Sequence, residues 1–168
     1  MKAYNQLLRY TLIALALFPA LWGVFSFLNN TSGFDSTLQY AVKPMLSMED
    51  TYNNPAQTWR AIKADWIAFL GLVMITAMET TAGVLGCIAI YKMFMARNES
   101  YAKFLVGKMF LIGGCLAAVM VWGIGFMVVA GDWFLSWQSK GGINGQLGAM
   151  MYTMPCLVIL LIAVVHKE

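Results

Sequence analysis

"GLVMITAMETTAGVLGC", residues 71–87, decides how the chain is read. It is almost wholly apolar and belongs to a longer apolar run at about 66–94. A helix needs about 20 such residues to cross the hydrocarbon of a bilayer. One carboxylate, Glu79, interrupts the run. Glu79 lies about 13 residues in, roughly 20 Å along a helix that rises 1.5 Å per residue, which places it near the bilayer middle. A charge there costs at least about 2.5 kcal/mol on insertion scales, so such a residue normally faces the bundle interior. Protonated, it is a hydrogen-bond donor.

The composition agrees. Of 168 residues, 60% are hydrophobic and 11% charged, against about a quarter charged in an ordinary soluble domain. The net charge of +3 is too small and too scattered for a nucleic-acid partner. Three more apolar runs lie at about 7–28, 104–130 and 146–165. Backbone polar groups in hydrocarbon must be satisfied within their own segment, so all four runs are helices. The expected fold is all-α: a four-transmembrane-helix bundle forming one membrane domain, with a partly helical extracytoplasmic loop at 29–65. Lys2 and Arg9 ahead of the first run also fit a signal peptide. That run is long and no A-x-A site follows, so an uncleaved span is expected.

Lys and Arg placement orients the bundle. Lys2, Arg9, Lys92, Arg97, Lys103, Lys108 and Lys167 fall at one end, and Lys43, Arg60, Lys63 and Lys140 at the other. Both termini are therefore expected in the cytoplasm. In the first outer loop, "DSTLQYAVKPMLSM" has helical spacing at Leu38, Val42, Met45 and Leu46, broken by Pro44. In "NNPAQTWRAIKADW", Asn54 suits an N-cap and Pro55 the first helical position, and this helix is expected to run into the second span. In the second loop, "GDWFLSWQSKGGINGQ", Trp133, Phe134 and Trp137 suit an interfacial aromatic belt. Asp50, Trp59, Arg60, Asp132, Trp133, Trp137, Gln138, Asn144 and Gln146 form a candidate outer-face cluster. Arg60 suits either pairing with Glu49 or Asp50, or clamping an anionic head group.

A second candidate site surrounds Glu79. Thr76 is on its face, and Tyr152 and Thr153 match its depth in the fourth span; Pro155 also frees the carbonyl of Met151. Ala82, Gly83 and Gly86, with Gly113, Gly114, Ala117 and Ala118 of the third span, allow close helix approach. Lys108 is too shallow to reach Glu79 and is expected to snorkel. Three roles for Glu79 stand open: a buried residue that fixes packing, a proton, ion or ligand site, or a contact with another subunit.

No nucleophile triad, metal-ligand cluster or phosphate loop is present. The lone His166 offers no haem ligand pair. Cys87, Cys115 and Cys156 lie in apolar runs and are read as small buried residues, and most of the 13 methionines as packing fillers. No cofactor is expected, although a bound lipid or quinone fits the class. Expected partners are membrane lipids and another membrane protein or a second copy. An intramembrane enzyme would need a polar group beside Glu79, and Tyr152 is the candidate.

"MLSMEDTYNNPAQTWRAI", "METTAGVLGCIAIYK" and "GDWFLSWQSKGGINGQLGA" together resemble the DUF2165 family of predicted small bacterial integral membrane proteins. The similarity runs in order over nearly the whole chain. Three positions depart from the family pattern. Met48-Glu49-Asp50 stands for a Met-Asp pair, Asp132-Trp133-Phe134 for Glu-Trp-Phe, and "GAMMY" for an Ala-Phe-Arg at the start of the last span. The resemblance implies four spans in a bacterial inner membrane and assigns no activity, because the family's function is uncharacterised. The leading expectation is a non-enzymatic accessory or interaction subunit, since four spans leave little room for a repeat-based carrier. The rival is a protein that binds or transports a small molecule, proton, lipid or quinone at Glu79, with Arg60 and Trp59 as an outer gate.

Overall fold

The computed structural model describes residues 2–167, except for the side chain of Lys2, whose charge entered the bias above. Among the described residues every element is helical. Four helices are long and apolar enough to cross a membrane: α1 (Ala3–Ser32), α4 (Asp65–Met95), α5 (Tyr101–Trp133) and α6 (Gly142–Val165). Between α1 and α4 lie α2 (34–47) and the single turn α3 (Pro55–Thr58). One end of the bundle carries both termini; the other carries α2, α3 and the 134–141 loop, and is called the cap end below.

The spans are not arranged as a closed square. α4 packs intimately on α1 and α5, α5 packs on α6, and α1 and α6 barely meet. Small residues set this order. A side chain on Gly83 would bring its Cβ to 2.8 Å from the Gly23 carbonyl carbon, and one on Gly86 to 2.7 Å from the Ala20 nitrogen. On the other flank, a Cβ on Gly107 would lie 2.6 Å from the Met93 nitrogen, and on Gly114 3.1 Å from the Ala82 oxygen. Lipid tails are as apolar as leucine, so helices associate through such packing rather than through a hydrophobic drive. The buried core follows these contacts, with Leu12, Ala16, Ala82, Ala89, Met93, Phe104, Leu111, Cys115 and Cys156 among its members. Cys87 departs from the expected burial, facing outward from α4.

The helices deviate from regularity at identifiable places. α1 loosens at Ala16, since Pro19 has no N–H for the carbonyl of Leu15. From Val119 to Trp133, α5 winds wider with π-type hydrogen bonds, and the Phe134 N–H closes it onto the Val129 carbonyl at 3.0 Å. α2 does not break at Pro44. A π-type stretch over Leu38–Val42 precedes it, and the Lys43 N–H reaches back to the Leu38 carbonyl. This wider turn carries the chain past a proline that would clash in a regular helix. Leu38, Val42 and Leu46 then pack on Ala68 and Leu72 of α4 and on Phe134 and Leu135, forming a second core under the cap.

Asn54 caps α3 as expected, its side chain accepting from the Ala56 N–H at 3.1 Å. The helix does not continue into α4. It stops at Thr58, the Ile62 N–H bonds the Leu46 carbonyl at 2.8 Å, and Ala64 is extended. Tying Ile62 to α2 draws the chain away from a helical path.

At the terminal end, buried Arg9 sends Nη1 to the carbonyls of Ala96, Arg97 and Glu99 at 3.3, 3.0 and 2.6 Å. A cation suits the C-terminus of α4. Lys108 reaches toward the same end, as snorkelling requires, but is 3% exposed. Its Nζ donates to the Tyr101 hydroxyl and the His166 carbonyl, both at 2.7 Å.

Gly83→Leu should lower unfolding stability in detergent by about 3 kcal/mol or more through overpacking. Gly71→Leu, where a new Cβ meets nothing within 4 Å, should be neutral. Equal behaviour of the two variants in a denaturation series would contradict the packing described.

Candidate functional site

Glu79 lies near the midpoint of α4 and is 1% exposed. Its partner is a residue the sequence reading missed. The Asn30 side-chain amide donates to Glu79 Oε2 at 2.5 Å. Asn30 stands in the polar tail of α1, "NNTS", residues 29–32. The contacts of Gly23 with Gly83 and of Ala20 with Gly86 set the α1–α4 register. In that register Glu79 lies about one turn from Asn30, and the first turns of α4 overhang the end of α1 toward the cap. The mid-helix acid is therefore level with the polar end of its neighbour.

The other residues assigned to Glu79 are occupied elsewhere. Thr76 Oγ1 donates to the Leu72 carbonyl at 2.9 Å, and buried Thr153 Oγ1 to the Ala149 carbonyl at 2.8 Å. Tyr152 joins an aromatic group drawn from three spans. Its ring stacks on Trp22 at 5.4 Å and tilts against Trp122 at 5.1 Å, while Trp22 and Trp122 meet edge-on at 5.7 Å. Phe126 stacks on Trp122 at 4.4 Å.

This group closes one side of a groove of about 560 Å³ between α1 and α6. Phe18, Leu21, Trp22, Phe25, Ser26, Asn29 and Tyr152 line it; Glu79 does not. A second groove of about 450 Å³ continues along the same seam past Phe18, Met154, Val158 and Ile159, and Ala14 borders both. The seam has a polarity. Its cap half carries Ser26, Asn29 and Tyr152, whose side-chain hydroxyls and amide have no protein hydrogen-bond partner among the described residues. Its other half is apolar.

The outer-face residues fall into separate groups. The Arg60 guanidinium lies 5.1 Å over the Trp133 ring, against which Trp59 stands edge-on at 6.0 Å. Among the described residues no ion pair joins Arg60 to Glu49 or Asp50, the first of its two expected roles; its guanidinium faces an aromatic ring instead. The Tyr52 N–H donates to Gln138 Oε1 at 3.1 Å, and Tyr52 packs edge-on against Trp137 at 6.0 Å. Gln146 Nε2 donates to the Phe126 carbonyl and to Ser136 Oγ, each at 3.0 Å. Asp132 and Asn144 are exposed and join none of these groups. Tyr52 and Ser136 were not singled out from sequence, for neither looks unusual in a loop.

Asn30→Leu should cost about 1–3 kcal/mol, because it leaves a buried carboxyl without its partner. Adding Glu79→Leu should restore most of that loss in the same unfolding assay. A neutral Asn30→Leu would show that the bond carries no stability.

No curated protein and no solved structure matches the chain. Residues 8–166 match a family described as predicted small integral membrane protein. With its four apolar helices and nearly complete coverage, the chain belongs to the DUF2165 family.

Proposed function

We propose that this chain is a non-enzymatic protein of the bacterial inner membrane that holds a lipid-class amphiphile in the seam between α1 and α6. The carrying observation is the unpartnered set Ser26, Asn29 and Tyr152 at one end of an otherwise apolar groove. Polar groups without partners are costly in hydrocarbon. A molecule with a carbonyl-bearing head and a long apolar tail satisfies them and fills the rest. Phospholipid esters and isoprenoid quinones share that chemistry. The seam suits a thin flexible chain better than a helix, since bulky Phe18, Leu21, Trp22 and Phe25 line it where helix contacts call for small residues. The cation bias of the terminal end supports cytoplasmic termini, and in that orientation the head group sits in the outer leaflet.

An accessory role in a larger complex is the second reading. The observation favouring it is the face of α6 at Gly148, where an added side chain meets nothing within 4 Å. Another protein's helix can approach closely there. On either reading Glu79, bonded to Asn30 and absent from the groove lining, supports packing beside the seam rather than a pathway.

Native mass spectrometry of the chain extracted in gentle detergent tests the first reading. Wild type should retain one amphiphile per chain. Ala14→Trp, which fills the shared waist of the two grooves from an exposed position, should retain at least tenfold less while staying folded. Equal retention by both would refute the seam as the site. A stoichiometric second protein, lost in Gly148→Leu, would favour the accessory reading.

A further inference from the structure

The cap end holds a pocket unrelated to the seam. It has a volume of about 290 Å³ and lies between α2, the wide-wound end of α5 and the first turns of α6. Its apolar wall includes Met45, Met48, Phe126 and Phe134; its polar groups include Asp50 and Gln146. Three segments far apart in sequence build it, and residue order alone puts Asp50 and Gln146 only on a common face.

We propose that this pocket binds a small organic ammonium ion, with the charge at Asp50 and the apolar body on the methionine and phenylalanine wall. Two observations converge. First, Asp50, an exposed residue, is the pocket's only charged lining residue, and its carboxylate makes neither an ion pair nor a hydrogen bond among the described residues, so it is open to a ligand. The cations of the cap end, Lys43, Arg60, Lys63 and Lys140, make no ion pair with Asp50 among the described residues. Lys43 pairs with Asp65 at 2.9 Å, Arg60 covers Trp133, and exposed Lys140, between the lining residues Ser139 and Gly141, makes no ion pair with Asp50.

Second, the acid stands beside apolar and aromatic surface. That combination suits a cation carrying an organic body better than a hydrated metal ion, which would need several oxygen ligands. Helix α2 ends beside the pocket at buried Met48, whose left-handed backbone (φ 56°) caps the helix and turns the chain toward Asp50.

The probe pair is 2-phenylethylamine and its neutral isostere 2-phenylethanol, titrated calorimetrically into the full chain in detergent. Wild type should bind the amine at least tenfold more tightly than the alcohol, and Asp50→Asn should erase that difference. Gly145→Phe, placed at a lining position where a new side chain meets nothing within 4 Å, should abolish amine binding without disturbing the fold. Failure of wild type to bind the amine, equal binding of amine and alcohol, or undiminished amine binding by Asp50→Asn overturns the proposal. None of these results bears on the α1–α6 seam.

Discussion

The backbone-to-backbone approach of α1, α4 and α5 governs the rest of the molecule. In lipid, helices gain nothing by hiding apolar side chains from an apolar solvent, so association rests on close packing and on polar contacts. Gly23 against Gly83, Gly86 against Ala20, and Gly107 against Met93 leave no room for a side chain. These contacts place α4 at the centre with α1 and α5 on its flanks. α6 then finds its surface on α5, with Gly123 lying against Thr153 and Gly131 against Gln146. The small residues are thus spent on one side of the bundle, and α1 and α6 are left apart with large side chains between them.

The same register explains the buried acid. Setting Gly23 beside Gly83 brings the polar tail of α1 level with the middle of α4, so a carboxyl that looks stranded at the centre of an apolar helix meets Asn30. It also leaves the first turns of α4 projecting past α1, where Ala68 and Leu72 receive α2 and give the cap its own small core. Seam, acid and cap are three results of one helix offset.

Much of this was readable from residue order, for reasons that stop at the single helix. Length and apolar character identify four spans because the bilayer imposes both. Asn54 and Pro55 announce a helix start because capping is local. The inward face of Glu79 follows from the cost of exposing it to lipid. Its partner did not, because depth counted along one helix assumes that neighbouring helices begin level, and α1 and α4 do not. Tyr152 was matched to Glu79 by that same count, yet its ring lies on Trp22 and Trp122. Those tryptophans look like ordinary membrane aromatics until three spans bring them together. For Arg60, residue order suggests carboxylates close in sequence or an anionic head group, whereas the fold brings the face of Trp133 from the end of α5, some seventy residues on.

A crystal structure grown from a lipid mesophase would examine the open seam in its own solvent. Continuous elongated density should lie between α1 and α6, with a ligand oxygen within about 3 Å of Ser26, Asn29 or Tyr152. α1 closed against α6, with those three side chains hydrogen-bonded to protein and no space between the helices, would contradict the account.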